Sequence, residues 1–224
     1  MVSARRPVGR KFSGAVTQGW HAYNISTSPD GLGQWTDEQL FSYLKGGHAD
    51  GVGSASGTMG EAVDMSLRHL PDADIRSMVV YLRSVPSVPN QPEMKIDLAA
   101  PAMVASQRYQ PADPGNDANG LGLHLFQQSC ASCHAWDGEG QQTPYASLKG
   151  DQTVNDPSGT NAMQVIIRGS DVTSQAGREF MPAFGGTLSD PEIAALTNYV
   201  LAHFGNKTGA VTAADVAQAR LEGH

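Results

Sequence analysis

Cys130-Ala131-Ser132-Cys133-His134 contains both cysteines of the chain and a histidine directly after the second. On one turn of helix the two thiols can reach the two vinyl groups of a single porphyrin, while the adjacent imidazole turns to its iron. Cys-x-x-Cys-His is accordingly the sequence mark of covalent c-type haem attachment. Two other chemistries fit less well. A thioredoxin-like redox pair follows a hydrophobic strand in a βαβ setting, whereas residues 121–129 read as helix. A zinc site needs a fourth ligand, and no second cysteine pair or histidine cluster is spaced to supply one.

A haem bound through His134 leaves a second axial position. Met181-Pro182-Ala183-Phe184 lies 47 residues after His134, before the last strong helix signal, far enough along the chain to wrap the opposite haem face. Methionine usually fills gaps on helices, so one in a Gly/Pro-rich stretch points to ligation, and Met181 is the candidate distal ligand. His203, on the final apolar helix, and His124, on the attachment helix, read as core or surface histidines. His/Met ligation leaves no open position and raises the potential, which favours electron transfer. The alternative is a haem enzyme or a gas or redox sensor whose sixth position is open.

Helices must position these groups. Leu121, Leu125 and the pair Gly122/Phe126 lead into Cys130 on a helix of about ten residues. Another runs from Thr160 to Arg168, with Met163, Ile166 and Ile167 on its apolar face. Ser189-Asp190-Pro191-Glu192 is a capping box with Pro in the first turn; Ile193, Leu196, Val200 and Phe204 form the stripe, and Gly205 the stop. Upstream, Thr36-Asp37-Glu38-Gln39 caps a helix over about 37–45, and Ile75, Met78, Val79 and Leu82 predict a second one ending before Pro86.

These helices repeat. Leu70-Pro71-Asp72-Ala73-Asp74-Ile75 and Leu188-Ser189-Asp190-Pro191-Glu192-Ile193 share Leu-x-Asp-x-acid-Ile, and Tyr81 and Tyr199 follow each Ile by six residues. Ile25 precedes Lys45-Gly46, and Leu148 precedes Arg168-Gly169, by the same 20 residues. Met59 and Met181 lie 13 and 12 residues beyond those glycines, which makes Met59 an orphan counterpart of the axial ligand. The expected fold is all-α, with two tandem helical modules. A partial module without an attachment motif spans 1–88, a Pro-rich linker 89–119, a haem domain 120–205 and a C-terminal tail 206–224. Lacking an attachment helix, the first module is expected to leave Ile75, Met78 and Val79 uncovered.

Composition narrows the function classes. Hydrophobic residues at 40% suffice for packed cores, and charged residues at 17% are too few for a disordered polyelectrolyte. Fifteen basic against twenty-two acidic residues, a net charge of −7, remove the footprint of a nucleic-acid binder. The acidity concentrates in 120–224, with ten acidic and five basic groups, a weak pointer to a basic electron partner. No apolar run is long enough to span a membrane; the best, from Ile193 to Phe204, is interrupted by Thr197, Asn198 and His203.

Residues 120–205 resemble a class I cytochrome c domain. The whole chain resembles the multihaem cytochrome c subunit of membrane-bound bacterial dehydrogenases for alcohols, aldehydes and sugar acids. The narrower likeness rests on Gly19-Trp20-His21-Ala22-Tyr23-Asn24-Ile25, Gly33-Gln34-Trp35, Tyr43-Leu44-Lys45-Gly46-Gly47 and Tyr81-Leu82-Arg83-Ser84-Val85-Pro86, similar to that subunit's middle haem domain. The resemblance implies one covalent haem c in this chain and electron transfer from a catalytic dehydrogenase subunit to a quinone or oxidase. It also implies a non-enzymatic subunit at the periplasmic face of the cytoplasmic membrane, peripherally attached. One departure is large: in the first module, Pro7-Val8-Gly9-Arg10-Lys11 stands where the repeat would place a Cys-x-x-Cys-His. The start of the chain also has no apolar stretch after its basic residues, as an export signal would require. A haemless relic and a chain that starts inside a longer product both remain open; the second accounts for both absences.

Overall fold

The computed structural model describes residues 11–90, 118–174 and 177–222. Most of the 89–119 linker lies outside them. The first half opens with a hairpin of β1 (Ala15–Thr17) and β2 (Trp20–Ala22). It continues through α1 (Asp37–Gly46), a hairpin of β3 (His48–Ala49) and β4 (Gly53–Ser54), α2 (Gly57–Met65) and α3 (Asp72–Ser84). The second half runs α4 (Ala118–Ser129), α5 (Ala131–His134), α6 (Gln152–Asn155) and α7 (Thr160–Arg168). A hairpin of β5 (Ser170–Ser174) and β6 (Gly177–Met181), then α8 (Asp190–Gly205) and α9 (Ala213–Leu221), complete it.

The expectation of an all-α chain needs correction: three antiparallel two-stranded hairpins punctuate the helices. The longest, β5–β6, pairs Ser170 with Met181 and buries Val172 and Ser174 on alternate positions, a pattern too short and too polar to stand out in the sequence. The 206–224 tail also differs from expectation. It contains α9, which the Thr212 capping box starts and which puts Val216 and Ala219 into the core of the second half. Arg168 donates to Ala219 O at 2.9 Å, and Arg220 pairs with Asp190 at 2.6 Å, so the helix is tied to both α7 and α8.

Local signals explain the main helices. At the head of α1, Gln39 N donates to Thr36 Oγ1 at 3.1 Å and Thr36 N to Gln39 Oε1 at 2.9 Å; Gly47, at φ 78°, ends the helix. Ser189 and Glu192 make the same box on α8, but the left-handed cap there is Asn206, at φ 51°. Gly205 serves a different purpose: a Cβ on it would lie 2.1 Å from Val154 O, so its bare backbone lets α8 pack against α6.

Two cores form. Phe126, Met163, Ile166, Ile193, Leu196 and Phe204 centre the second, and Leu32, Leu40, Leu44, Ile75 and Val79 the first. The face expected to be bare is covered from within its own half. Ile75 is 0% and Val79 5% exposed, with Met78 half-buried, because α1, Met59, Leu67 and Leu70 close over α3. The large apolar side chains of α3 that do face solvent are Val80 and Tyr81.

The halves meet in an extensive joint. Asn161 and His21 exchange hydrogen bonds through His21 N and His21 O at 2.8 and 3.0 Å, while His21 Nδ1 pairs with Asp156 at 3.0 Å. Gln152 N donates to Val52 O at 2.7 Å, and Arg68 bridges Asp64 and Thr173 O. Gly60 gives Val172 room, since a Cβ there would stand 3.3 Å from one of its methyl groups.

Candidate functional site

Cys130 closes α4 and caps α5, and the backbone bonds Cys133 N to Cys130 O (3.1 Å) and His134 N to Cys130 O (2.9 Å) hold the motif as one turn. Ala135, at φ 60°, breaks the helix there and redirects the chain. No disulfide joins the two cysteines; Cys130 is buried and Cys133 exposed. Burial, and then the neighbouring Cys133, pushes the Cys130 thiol up to about 11, the opposite of a low-pKa redox nucleophile.

His134 Nδ1 lies 2.7 Å from Ala146 O. A carbonyl can only accept, so Nδ1 carries the proton and Nε2 presents a lone pair. This is the arrangement in which a ligating histidine is oriented by its other nitrogen. Burial lowers the pKa of the ring against the raising effect of the Ala146 bond, which favours the neutral form a metal requires.

In front of this turn lies a cavity of about 310 Å³, predominantly apolar, whose walls include Phe126, Leu148, Ile166, Val172 and Leu196 together with both cysteines and His134. Met181 lines the same cavity from the end of β6, where the sequence pattern predicts a loop. Gly169 makes that position accessible, since a Cβ there would meet Met181 O at 2.4 Å. Adjacent thiols on one turn, an oriented neutral imidazole and a methionine around an apolar cavity fit a covalently held, axially ligated haem.

The other sequence candidates lie elsewhere. Met59 sits on α2 and packs against the first core. His124 is exposed on α4, and His203 stacks on Tyr199 at 5.1 Å and meets Phe204 edge-on at 4.6 Å. Phe126 and Tyr199 do meet at the α4–α8 crossing, with centroids 5.5 Å apart.

Sequence reasoning missed the wall contributed by the first half. Ser54, Ala55 and Ser56 line the cavity. Tyr145 bonds through its hydroxyl to Gly46 O and places its ring 4.7 Å from that of His48. Asp151 was missed as well, although an Asp after Gly150 and two residues before Thr153 is a legible N-cap signal. Its Oδ1 accepts from Thr153 N at 2.7 Å. Contacts across the halves leave no mark in either local sequence.

The attachment helix crossing a terminal helix, with the motif turn and a methionine around one apolar cavity, defines a c-type cytochrome domain. The family model described as cytochrome C oxidase, cbb3-type, subunit III, matches residues 118–200. Cytochrome c6 of Bumilleriopsis filiformis is 41% identical over 80 residues, 36% of this chain and 85% of that protein. The chain belongs to the cytochrome c family, and with that membership comes covalently bound haem c. Over nearly its whole length it is similar to cytochrome subunits of dehydrogenases. The fructose dehydrogenase cytochrome subunit of Gluconobacter japonicus is 36% identical over 224 residues, 95% of this chain and 46% of that protein. The cytochrome c subunit of the quinone-type alcohol dehydrogenase of Gluconacetobacter polyoxogenes is 32% identical over 216 residues, 94% and 44% respectively. The chain thus spans about half the length of the curated relatives it matches.

Proposed function

We propose that this chain is an electron-transfer subunit of a dehydrogenase complex, and not itself a catalyst. It would take electrons from a catalytic dehydrogenase subunit and pass them to a quinone or an oxidase at the periplasmic face of the membrane. Among the described residues no helix is long and apolar enough to cross a membrane. Cys130 and Cys133 would anchor one haem c, His134 and Met181 would ligate its iron, and the bound iron would supply a one-electron couple. His134 is held in its ligating tautomer by Ala146 O, Met181 is presented by the β5–β6 hairpin, and Phe126, Leu148, Ile166 and Leu196 keep water from the cavity.

The observation that carries this reading is that Met181 and the oriented His134 line one apolar cavity, so both axial positions have a candidate in this chain. The open-site alternative draws no support from the three relatives described above, which are named cytochromes or cytochrome subunits. Carbon monoxide added to the reduced protein tests it. The wild-type spectrum should stay largely unchanged, whereas Met181→Ala should keep its haem, lose any sulfur-to-iron charge-transfer band and bind the gas. A wild type that binds carbon monoxide readily contradicts the ligand assignment.

We further infer that the halves are two modules of one origin. Each follows a helix with a hairpin and later a longer helix, α1, β3–β4 and α3 in one and α7, β5–β6 and α8 in the other, the first half adding α2 between its hairpin and α3. In this reading Met59 is the orphan counterpart of Met181, and the first half buttresses the haem cavity through residues 54–56.

A further inference from the structure

We propose that Asp151 is a proton-linked residue of the haem site, binding a proton when the site gains an electron and releasing it when the site is oxidised. The inference rests on the haem site proposed above. Asp151 lines the cavity from the start of α6 and is 9% exposed. It sits at the joint of the two halves, wedged so closely that a Cβ on Gly53 would lie 2.9 Å from its Oδ1. Gly150 before it, at φ 71°, lies against Gly51, where a Cβ would meet Gly51 O at 2.5 Å. The carboxylate is therefore closely enclosed, with Oδ1 accepting from Thr153 N at 2.7 Å.

What surrounds it determines its chemistry. Its hydrogen-bond donors include the backbone N–H groups of Thr153, Ser54 and Val154. From the segment before α6, His134 and Tyr145 line the same cavity, the first favoured neutral and the second pushed further from ionisation by burial. Lys149 is tied to Glu139. Glu179 faces in from β6. In the first half His48 is turned to Ser54 and Asp50. Tyr23 is raised chiefly by burial and then by the charges of Asp156 and Asp151, and Tyr43 by burial and then Asp151. None of these groups forms an ion pair with Asp151 among the described residues. Burial outweighs the backbone hydrogen bonds and lifts its carboxyl to about 6, so both protonation states are within reach near neutral pH.

An oxidised site carries one more positive charge than a reduced one. A carboxylate in its wall stabilises the oxidised state, and in a water-poor cavity that interaction is strengthened. As the haem site would accept one electron from the donor, one proton from solvent would convert the Asp151 carboxylate to the carboxylic acid; oxidation would return the electron to the acceptor and the proton to solvent. No other bond changes.

The test is the reduction potential of the full, haem-loaded chain from about pH 5 to about pH 8. In the wild type the potential should fall as pH rises through the region of 6. In Asp151→Asn, which keeps an N-cap acceptor for Thr153, it should stay near the wild-type acid limb throughout. A flat wild-type profile overturns the proposal, as does an unchanged slope in the variant, which would assign the proton to the porphyrin's own carboxylates or to another side chain. Infrared difference spectra of wild type labelled with carboxyl-¹³C aspartate test the same step without any variant. Reduction near pH 6 should produce an isotope-shifted carboxylic-acid band, and its absence refutes the assignment. A chain that carries no haem refutes the underlying haem site instead, and shows this by its absorption spectrum before any potential is measured.

Discussion

Gly122→Ala pits helix propensity against the crossing of α4 and α8. Alanine in a helix interior is favoured over glycine by about 1 kcal/mol, so an isolated α4 would gain from the change. In the fold, the new Cβ would stand 2.4 Å from Ala195 O and 2.6 Å from Tyr199 Cβ. Neither neighbour can move alone, since Ala195 O belongs to the backbone of a sixteen-residue helix and Tyr199 is pinned between Phe126 and His203. Relief requires the helices to part by ~1 Å, which forfeits a quarter to a half of each dispersion contact across the seam. Overpacking of this kind costs ~1–3 kcal/mol, and with the lost contacts about 2–4 kcal/mol stands against the propensity gain. The net expectation is a loss of about 1–3 kcal/mol. Guanidinium titration of the haem-loaded chain should show a lower midpoint at unchanged slope. Gly186→Ala, where a Cβ meets nothing within 4 Å, should stay within ~0.5 kcal/mol of wild type. A Gly122→Ala chain as stable as wild type, or more so, would refute the close crossing.

Two further outcomes concern the same half. Tyr199→Ala should cost about 2–3 kcal/mol by the same titration, below the ~3–5 of a fully buried ring, because Tyr199 is only half-buried against Phe126. For Asp151, the carboxyl near 6 in the fold stands above its ordinary value of 3.8, so its contribution is complete below about pH 4 and is lost as pH rises through about 6. The loss approaches about 3 kcal/mol at ~1.4 kcal/mol per pH unit, and Asp151→Asn should abolish that slope; a variant with the wild-type profile would place the titration elsewhere.

What could be read from the sequence was local. The capping boxes at Thr36 and Ser189 and the Cys130–His134 turn depend on residues whose spacing encodes their geometry. The β5–β6 hairpin escaped because Ser170–Ser174 buries only two side chains and Gly177–Met181 carries Arg178 and Phe180 outward. The joint escaped for another reason. Partners such as His21 and Asp156 are 135 residues apart, and nothing in either neighbourhood announces the other. The bare α3 face was a wrong inference of the same origin: Ile75 and Val79 are covered by Leu32, Leu40 and Leu44, whose role in closing the first core required the three-dimensional path of the chain.

Electron transfer by this chain requires residues 130–134 to hold one covalent haem in the cavity shared with Met181. Intact mass under denaturing conditions, for protein made in cells able to attach haem, decides whether they do. One haem increment per chain is expected, absent from the Cys130→Ala/Cys133→Ala double variant. An increment of zero or two in the wild type, or one that survives loss of both thiols, would contradict the assignment.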